Sequence, residues 1–417
     1  MSKVFLKNIS GLTLIQLANT IVPLLLIPYL ARIISPEHFG ELEFARYFCY
    51  FFTVIVNYGF DVTITRLISN KRKNKKFLEF LTFQVFYAKF ILLIISLFIF
   101  ILLVHNHVRW SEIKLLLYST FAINIGFLLF PLWFFQGIES VLKISFINLI
   151  VKVFIAFLTI LLIREDSDYW MFNALQSLAL ILVGLHSLYL IRKYFNPIKI
   201  KTPSYRVLRR IFAGATPVFV STILLIIPGL IYFLLIEEKG TAADLASYST
   251  ANKLIISLQS LLLIPFSQAF FPMISKQVNE NLQTFTKNIS LVALIAFVFC
   301  LVVGGFIFVF SEFIIMIVFG KGYLGATESL QILGFLPLVT LLSNIYVFQG
   351  LLSLKKDKVF LKIYLFSFFF NILLCAYAYN KVTSELLCYL RILSELFVLI
   401  LGVYFYRKAV KEKYENS

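Results

Sequence analysis

The stretch from Gly40 to Arg66 reads GELEFARYFCYFFTVIVNYGFDVTITR and carries no charge between Tyr47 and Tyr58. Because about 20 residues cross a bilayer at about 1.5 Å rise each, it is predicted to cross as one helix. Arg46 and Asp61 nevertheless lie inside the span, where a charge costs about 2.5 kcal/mol or more. Either both side chains reach the nearest membrane surface, or the helix lines a polar path.

The composition extends this reading to the whole chain. Of 417 residues, 60% are hydrophobic and only 14% are charged, and the mean hydropathy is +0.91. A soluble domain carries about 25% charged residues, so the sequence predicts an all-α integral membrane protein. Windows of about 20 residues predict about twelve spans. They cover roughly 8–33, 40–66, 78–104, 113–136, 141–163, 169–191, 206–236, 242–272, 285–310, 327–352, 359–380 and 383–406.

Lys and Arg are concentrated in alternate loops, and this asymmetry predicts the orientation. The clusters at 71–76, 192–210, 355–358 and 407–413 all fall on the side of the N-terminus. Since basic loops stay in the cytoplasm, both termini are predicted to be cytoplasmic. The net charge of +17 is explained by these loops, so no nucleic-acid partner is predicted.

The longest polar connection divides the spans into six and six. The sequence predicts a bundle at 1–196, a cytoplasmic linker at 197–210 and a second bundle at 211–417. Short markers recur in the same order in both halves: Ile-Pro at 27–28 and 227–228, and Phe-Gln-Gly at 135–137 and 348–350. These matches favour a parallel internal duplication.

Seven of the charged residues within the predicted spans are interpreted as charges inside the membrane. They are the cations Arg46, Lys89, Lys152, Lys253 and Arg391 and the anions Asp61 and Glu395. Arg391 and Glu395 are four residues apart, so they share a helix face and form a self-neutralising pair on the simpler interpretation. On the alternative interpretation they act, with Asp61, as counter-ions or gating residues.

The four remaining cations outnumber Asp61, which predicts a cavity for an anion, with phosphate the preferred group. In the alternative, individual lysines reach a backbone carbonyl or a water molecule in a static bundle. No phosphate-binding loop, metal-ligand spacing or catalytic pattern stands out, so the sequence predicts no cofactor, no metal and no enzymatic role.

Several ordered motifs resemble the Wzx O-antigen flippase family, within the superfamily that also holds the MATE drug exporters. The first half carries Pro28-Tyr-Leu-Ala-Arg32, Phe39-Gly40, Asn57-Tyr-Gly-Phe60 and Thr65-Arg66. The second half carries Tyr248-Ser-Thr-Ala-Asn-Lys-Leu254, Gln259-Ser260, Pro265, Ser267-Gln268 and Phe271-Pro272. Arg46 departs from the family pattern, which has a small or aromatic residue there.

The resemblance implies two six-helix bundles around a central cavity in the bacterial inner membrane. It implies flipping of an undecaprenyl-diphosphate-linked O-antigen repeat unit, with an O-antigen polymerase and a chain-length regulator as expected partners. The two-half design itself predicts a monomer. Arg46, Lys89, Lys152 and Lys253 would then hold the diphosphate. A MATE-type drug exporter is the alternative, although its cationic cargo fits a cationic cavity poorly. An O-antigen polymerase fits less well, because every predicted outer loop is short.

Overall fold

The computed structural model describes the backbone of residues 3–195 and 202–415. Side chains are described for 14–15, 18–195, 202–263, 266–267, 270, 273–278 and 280–415. Residues 197–201 of the predicted linker lie outside the described residues. Within the described part, every regular element is a helix and no strand occurs.

The first half of the chain forms ten α-helices. They are α1 (Lys3–Leu30), α2 (Pro36–Asn57), α3 (Phe60–Asn70), α4 (Lys75–Asn106), α5 (Val108–Glu112), α6 (Lys114–Phe121), α7 (Ile123–Leu129), α8 (Leu132–Gly137), α9 (Leu142–Leu162) and α10 (Trp170–Phe195). A 3-10 turn at Asp166–Asp168 precedes α10.

The second half forms seven α-helices. They are α11 (Tyr205–Lys239), α12 (Ala242–Glu280), α13 (Leu282–Val318), α14 (Thr327–Leu333), α15 (Leu336–Ser343), α16 (Asp357–Ala378) and α17 (Ser384–Glu415). A 3-10 segment (Lys321–Ala326) precedes α14, and a π-helix (Asn344–Leu351) follows α15.

Polar caps set where several helices begin. The Asn74 side chain accepts a hydrogen bond from the Phe77 amide before α4, and Asn281 does the same for Thr284 before α13. At α12, Thr241 and Asp244 cap each other's backbone amides reciprocally. These side chains satisfy amide groups that have no partner within the helix.

Within the described residues, ten helical stretches are long and apolar enough to cross a membrane. Each coincides with one of the predicted spans. The other two predicted spans, at 8–33 and 242–272, fall on α1 and α12, long helices whose side chains are described only in part. The prediction of an all-α, multi-pass membrane protein is confirmed.

The stretch from Gly40 to Arg66 lies within one candidate membrane span, Pro36–Asn70, as predicted, but it does not form one continuous helix. The helix α2 begins earlier, at Pro36, and ends at Asn57, and α3 begins at Phe60. Between them Tyr58 and Gly59 have φ of 46° and 74°, which interrupts the helical ladder. The Tyr58 ring stacks on Phe219 of α11 with centroids 4.2 Å apart, and its hydroxyl lies 3.3 Å from the hydroxyl of Thr216. Packing on α11 thus fixes the break.

The glutamines of the two Phe-Gln-Gly segments make different hydrogen bonds in the two halves. The Gln136 amide oxygen lies 3.4 Å from the Thr65 hydroxyl. Gln349 donates to Asn344 at 3.0 Å, and Asn344 also accepts from the Ser267 hydroxyl at 3.1 Å.

Both glycines of these segments also sit where a side chain would not fit. A methyl group at Gly137 would lie 2.5 Å from Ile68, and one at Gly350 would lie 2.7 Å from the Tyr406 ring. Both helices approach a neighbour too closely for a Cβ atom. Other helical glycines, such as Gly184 and Gly402, are packed as tightly, so the internal duplication stays a prediction.

Contacts divide the chain into two units. Unit 1 comprises residues 1–34 and 45–226, and unit 2 comprises 35–44 and 227–417. The core of unit 1 includes Trp133, Phe134 and Phe60, and that of unit 2 includes Phe285, Ile345 and Ile363. The predicted division into bundles at 1–196 and 211–417 stays a prediction.

Candidate functional site

Lys89 is fully buried in α4, and its ammonium group donates to the carbonyl of Phe127 at 2.9 Å. In a helix that carbonyl would accept from the amide of residue 131, which is a proline without an N–H. The lysine therefore replaces the hydrogen bond that Pro131 removes at the end of α7. Asp61, half-buried at the start of α3, interacts electrostatically with Lys89.

Replacing Lys89 by methionine is expected to lower the free energy of unfolding by about 1–3 kcal/mol, because a buried carbonyl loses its donor. Adding Pro131→Ala is expected to recover part of this loss, since it restores an amide at residue 131. A thiol-reactive dye in detergent can follow unfolding, because Cys49, Cys300, Cys375 and Cys388 are all buried. Lys143→Met, at an exposed position on α9, is the control. Equal melting of Lys89→Met and the double variant would contradict this account.

Lys152 and Arg46 bring two positive charges together in unit 1. The Lys152 ammonium on α9 donates to the amide oxygen of Gln176 on α10 at 2.8 Å. Gln176 is neutral, so this bond does not balance the charge. The Arg46 guanidinium on α2 is within electrostatic range of Lys152 and exposed on the surface of the structure. Because like charges repel, an anion between them would be stabilised.

Lys253 is in a different situation in unit 2. Its ammonium on α12 lies 2.9 Å from a carboxylate oxygen of Glu43, in the first turns of α2. The two residues are only 8% and 2% exposed. A buried pair of this geometry is a local neutral unit.

Arg391 and Glu395 lie on α17 inside a polar cluster of unit 2. Arg391 donates to the hydroxyl of Tyr248 at 3.1 Å and to the side-chain oxygen of Asn252, both on α12. Glu395 interacts electrostatically with Arg391.

The same region contains a second hydrogen-bonded chain. The Tyr232 hydroxyl donates to Asn371 at 2.7 Å, and the Asn371 amide donates to the Ser394 hydroxyl at 2.6 Å. These bonds join α11, α16 and α17 through buried polar atoms, an arrangement that fixes the relative positions of the three helices.

The structure thus separates the residues that the sequence grouped. Arg46 lies near Lys152, and Asp61 lies near Lys89, in unit 1. Lys253, Arg391 and Glu395 lie in unit 2. Their roles in binding a diphosphate or in gating stay predictions.

Sequence reasoning missed Glu43 and Gln176, which partner two of the predicted cations. Glu43 was visible as a carboxylate inside the predicted span, three residues before Arg46. Gln176 is an amide inside the sixth span and gave no signal by spacing. Counting Glu43 reduces the excess of positive charge inferred for the spans.

Known proteins share both the sequence pattern and the fold. The structure of an inward-facing multidrug resistance MATE family transporter of the MOP superfamily superposes with a TM-score of 0.70. The two chains are 15% identical, and the match covers 98% of this chain and 99% of that one. A crystal structure of MATE in complex with MaD3S gives a TM-score of 0.54 at 14% identity, covering 96% of each chain. At these identities the likeness concerns the fold alone.

Relatives found by sequence are more similar to this chain than these solved structures are. A protein of Escherichia coli (strain K12) named "Putative O-antigen transporter" is 28% identical over 363 residues, which is 86% of each chain. A protein of the same name from Shigella dysenteriae is 28% identical over 417 residues, 97% of this chain and all of that one. The family model described as polysaccharide biosynthesis protein matches residues 5–278. The chain therefore belongs to the polysaccharide biosynthesis protein family, the family of the Wzx-like exporters that its sequence resembles.

Proposed function

We propose that this protein flips an undecaprenyl-diphosphate-linked O-antigen repeat unit from the cytoplasmic to the periplasmic leaflet of the bacterial inner membrane. The membership of the family and the transporter names of the two relatives support export of a polysaccharide precursor. They also favour a transporter over an enzyme. In this proposal both termini are cytoplasmic, the protein works by alternating access, and it supplies a polymerase and a chain-length regulator.

The observation that carries the proposal is the pair of like charges at Arg46 and Lys152. Arg46 lies about 15 Å along α2 from its first residue, Pro36, near the middle of that helix. An exposed guanidinium at this depth is too costly in lipid, so the residue faces a polar path in our proposal. A diphosphate entering the path would be attracted by both cations.

The other charged residues take different parts in this proposal. Lys89 and Asp61 stabilise the end of α7, because the lysine donates a hydrogen bond to the Phe127 carbonyl. Lys253 with Glu43, and Arg391 with Glu395, hold α2, α12 and α17 in one of the alternating states. A substrate that binds both states equally well would not trap the protein in either of them.

Complementation tests the proposal. A strain that lacks its own flippase, but assembles the matching repeat unit, accumulates that unit on the cytoplasmic side. Expression of this protein is expected to restore surface O-antigen and to lower the amount of unflipped lipid-linked unit. A polymerase would instead lengthen chains only where single units already reach the surface, and a drug exporter would lower ethidium accumulation alone. Either of these results would overturn the proposal.

A further inference from the structure

The last turns of α17 border a cavity of about 480 Å³ in unit 2. Its walls include Thr286 and Ser290 of α13, Tyr346 of the π-helix, and Tyr406, Arg407 and Lys411 of α17. Two cations and several hydroxyl groups therefore surround one space. This is the set of donors that proteins use to hold a phosphate group.

The donors in this cavity are largely unused. Arg407 is exposed and has no hydrogen bond or ion pair within the described part of the chain. Lys411 lies 3.9 Å from Glu415, but their side chains are 80% and 63% exposed, so this pair contributes little. Glu415 also lines the cavity and is its only carboxylate among the described residues.

Tyr406 adds a donor in the wall. The residue is 6% exposed, and its buried hydroxyl has no hydrogen-bond partner in the part of the chain that the structure describes. Its ring is fixed by Tyr346, with centroids 5.4 Å apart, and by the close approach of Gly350. A buried polar group without a partner costs free energy, which a bound acceptor would recover.

A second groove, of about 650 Å³, shares Arg407 and Lys411 with the cavity. It continues along α17 past Tyr404, Val403, Ile400 and Leu399. Ile400 is 65% exposed and Tyr404 is 60% exposed, as expected for side chains that contact lipid. The cationic end of one groove thus leads directly into an apolar surface about 12 Å long.

We propose that this surface binds an anionic phospholipid. The phosphate lies against Arg407, Lys411 and the Tyr406 hydroxyl, and an acyl chain follows the groove toward Leu399. A free anion would leave the apolar groove unused, and a neutral phospholipid would not balance the two cations. Basic residues beside a membrane-spanning helix are suited to anionic headgroups. The site is independent of the proposed path through unit 1.

Binding of phosphatidylglycerol to the purified full-length protein tests the inference, with phosphatidylcholine as the neutral comparison. Native mass spectrometry gives the dissociation constant of each lipid. The variant Arg407→Gln/Lys411→Gln is expected to lose about tenfold or more of its affinity for phosphatidylglycerol. Lys276→Gln/Lys362→Gln removes two other exposed charges of unit 2 and is expected to bind as the wild type does. Tyr406→Phe is expected to weaken binding a few-fold.

Three results would overturn the inference. These are unchanged binding in the Arg407/Lys411 variant, an equal loss in the control, and displacement of the lipid by excess inorganic phosphate. The last result would assign the cavity to a free anion. Should the charge variant be poorly produced, Ser290→Phe fills the cavity from α13 without removing a charge. It must also weaken binding of phosphatidylglycerol if the inference holds.

Discussion

Replacing Lys152 by glutamine is expected to lower the export of surface O-antigen at least tenfold without lowering the amount of protein in the membrane. Arg46→Gln is expected to have a similar effect. A hydrogen bond to a charged group contributes about 1.5–3 kcal/mol, and about 1.4 kcal/mol is a factor of ten in affinity. Loss of either cation removes one of the two positive charges that would attract a diphosphate.

The conservative change Lys152→Arg tests whether a positive charge at this position is sufficient for export. Lys152→Arg keeps the positive charge but presents a planar group in place of the ammonium that donates to Gln176. We therefore expect partial export. Lys143→Gln removes a charge from an exposed position on the same helix, α9, and is expected to export normally.

Export is measured as surface O-antigen per unit of membrane-inserted protein in a flippase-deficient strain. Normal export by both Lys152→Gln and Arg46→Gln would show that these cations do not hold the substrate. The double variant adds a further check. If both residues serve one diphosphate, the combined loss is smaller than the product of the single losses, because residues that act as a unit are not additive.

The spans could be predicted from the sequence because hydropathy is a property of consecutive residues. Each apolar run became a helix or a short series of helices. The basic clusters are not all loops, because 407–413 lies within α17 and Arg206 lies within α11. The break at Tyr58 and Gly59 was not predicted, although both residues were noted as part of a motif. Its geometry depends on packing against Phe219, which lies 161 residues further along the chain.

The partners of the buried charges were beyond sequence reasoning for the same reason. Glu43 and Lys253 are 210 residues apart, and no periodicity connects them. Lys89 donates to the backbone carbonyl of Phe127. Every residue type has a backbone carbonyl, so the identity of residue 127 does not indicate this bond. Pro131 has no N–H for the Phe127 carbonyl, but the sequence indicates neither where α7 ends nor that Lys89 supplies the donor.

Lys253→Met is expected to be the most destabilising of the substitutions considered. Removal of one partner from a buried ion pair costs about 3–5 kcal/mol, because the other charge remains buried. Glu43 would be left as a carboxylate only 2% exposed. Glu43→Gln is expected to be similarly harmful, since it leaves the Lys253 ammonium without its counter-charge.

The double variant Glu43→Gln/Lys253→Met decides whether the pair itself matters. With both charges removed, no uncompensated charge remains, so the double variant is expected to melt at a higher temperature than Lys253→Met alone. Lys276→Met breaks the pair between Lys276 and Glu280, which are 3.5 Å apart and largely exposed. It is expected to change the free energy of unfolding by about 1 kcal/mol or less.

The thiol-reactive dye suits this measurement, because Cys300, Cys375 and Cys388 are buried in the same unit as the pair. Strictly additive effects of the two single changes would mean that Glu43 and Lys253 act independently, despite the 2.9 Å between them. A less stable single variant that still exports O-antigen would assign the pair to folding. A double variant that is stable but inactive would assign it to the transport cycle, because the charges would then be needed for more than holding α2 against α12.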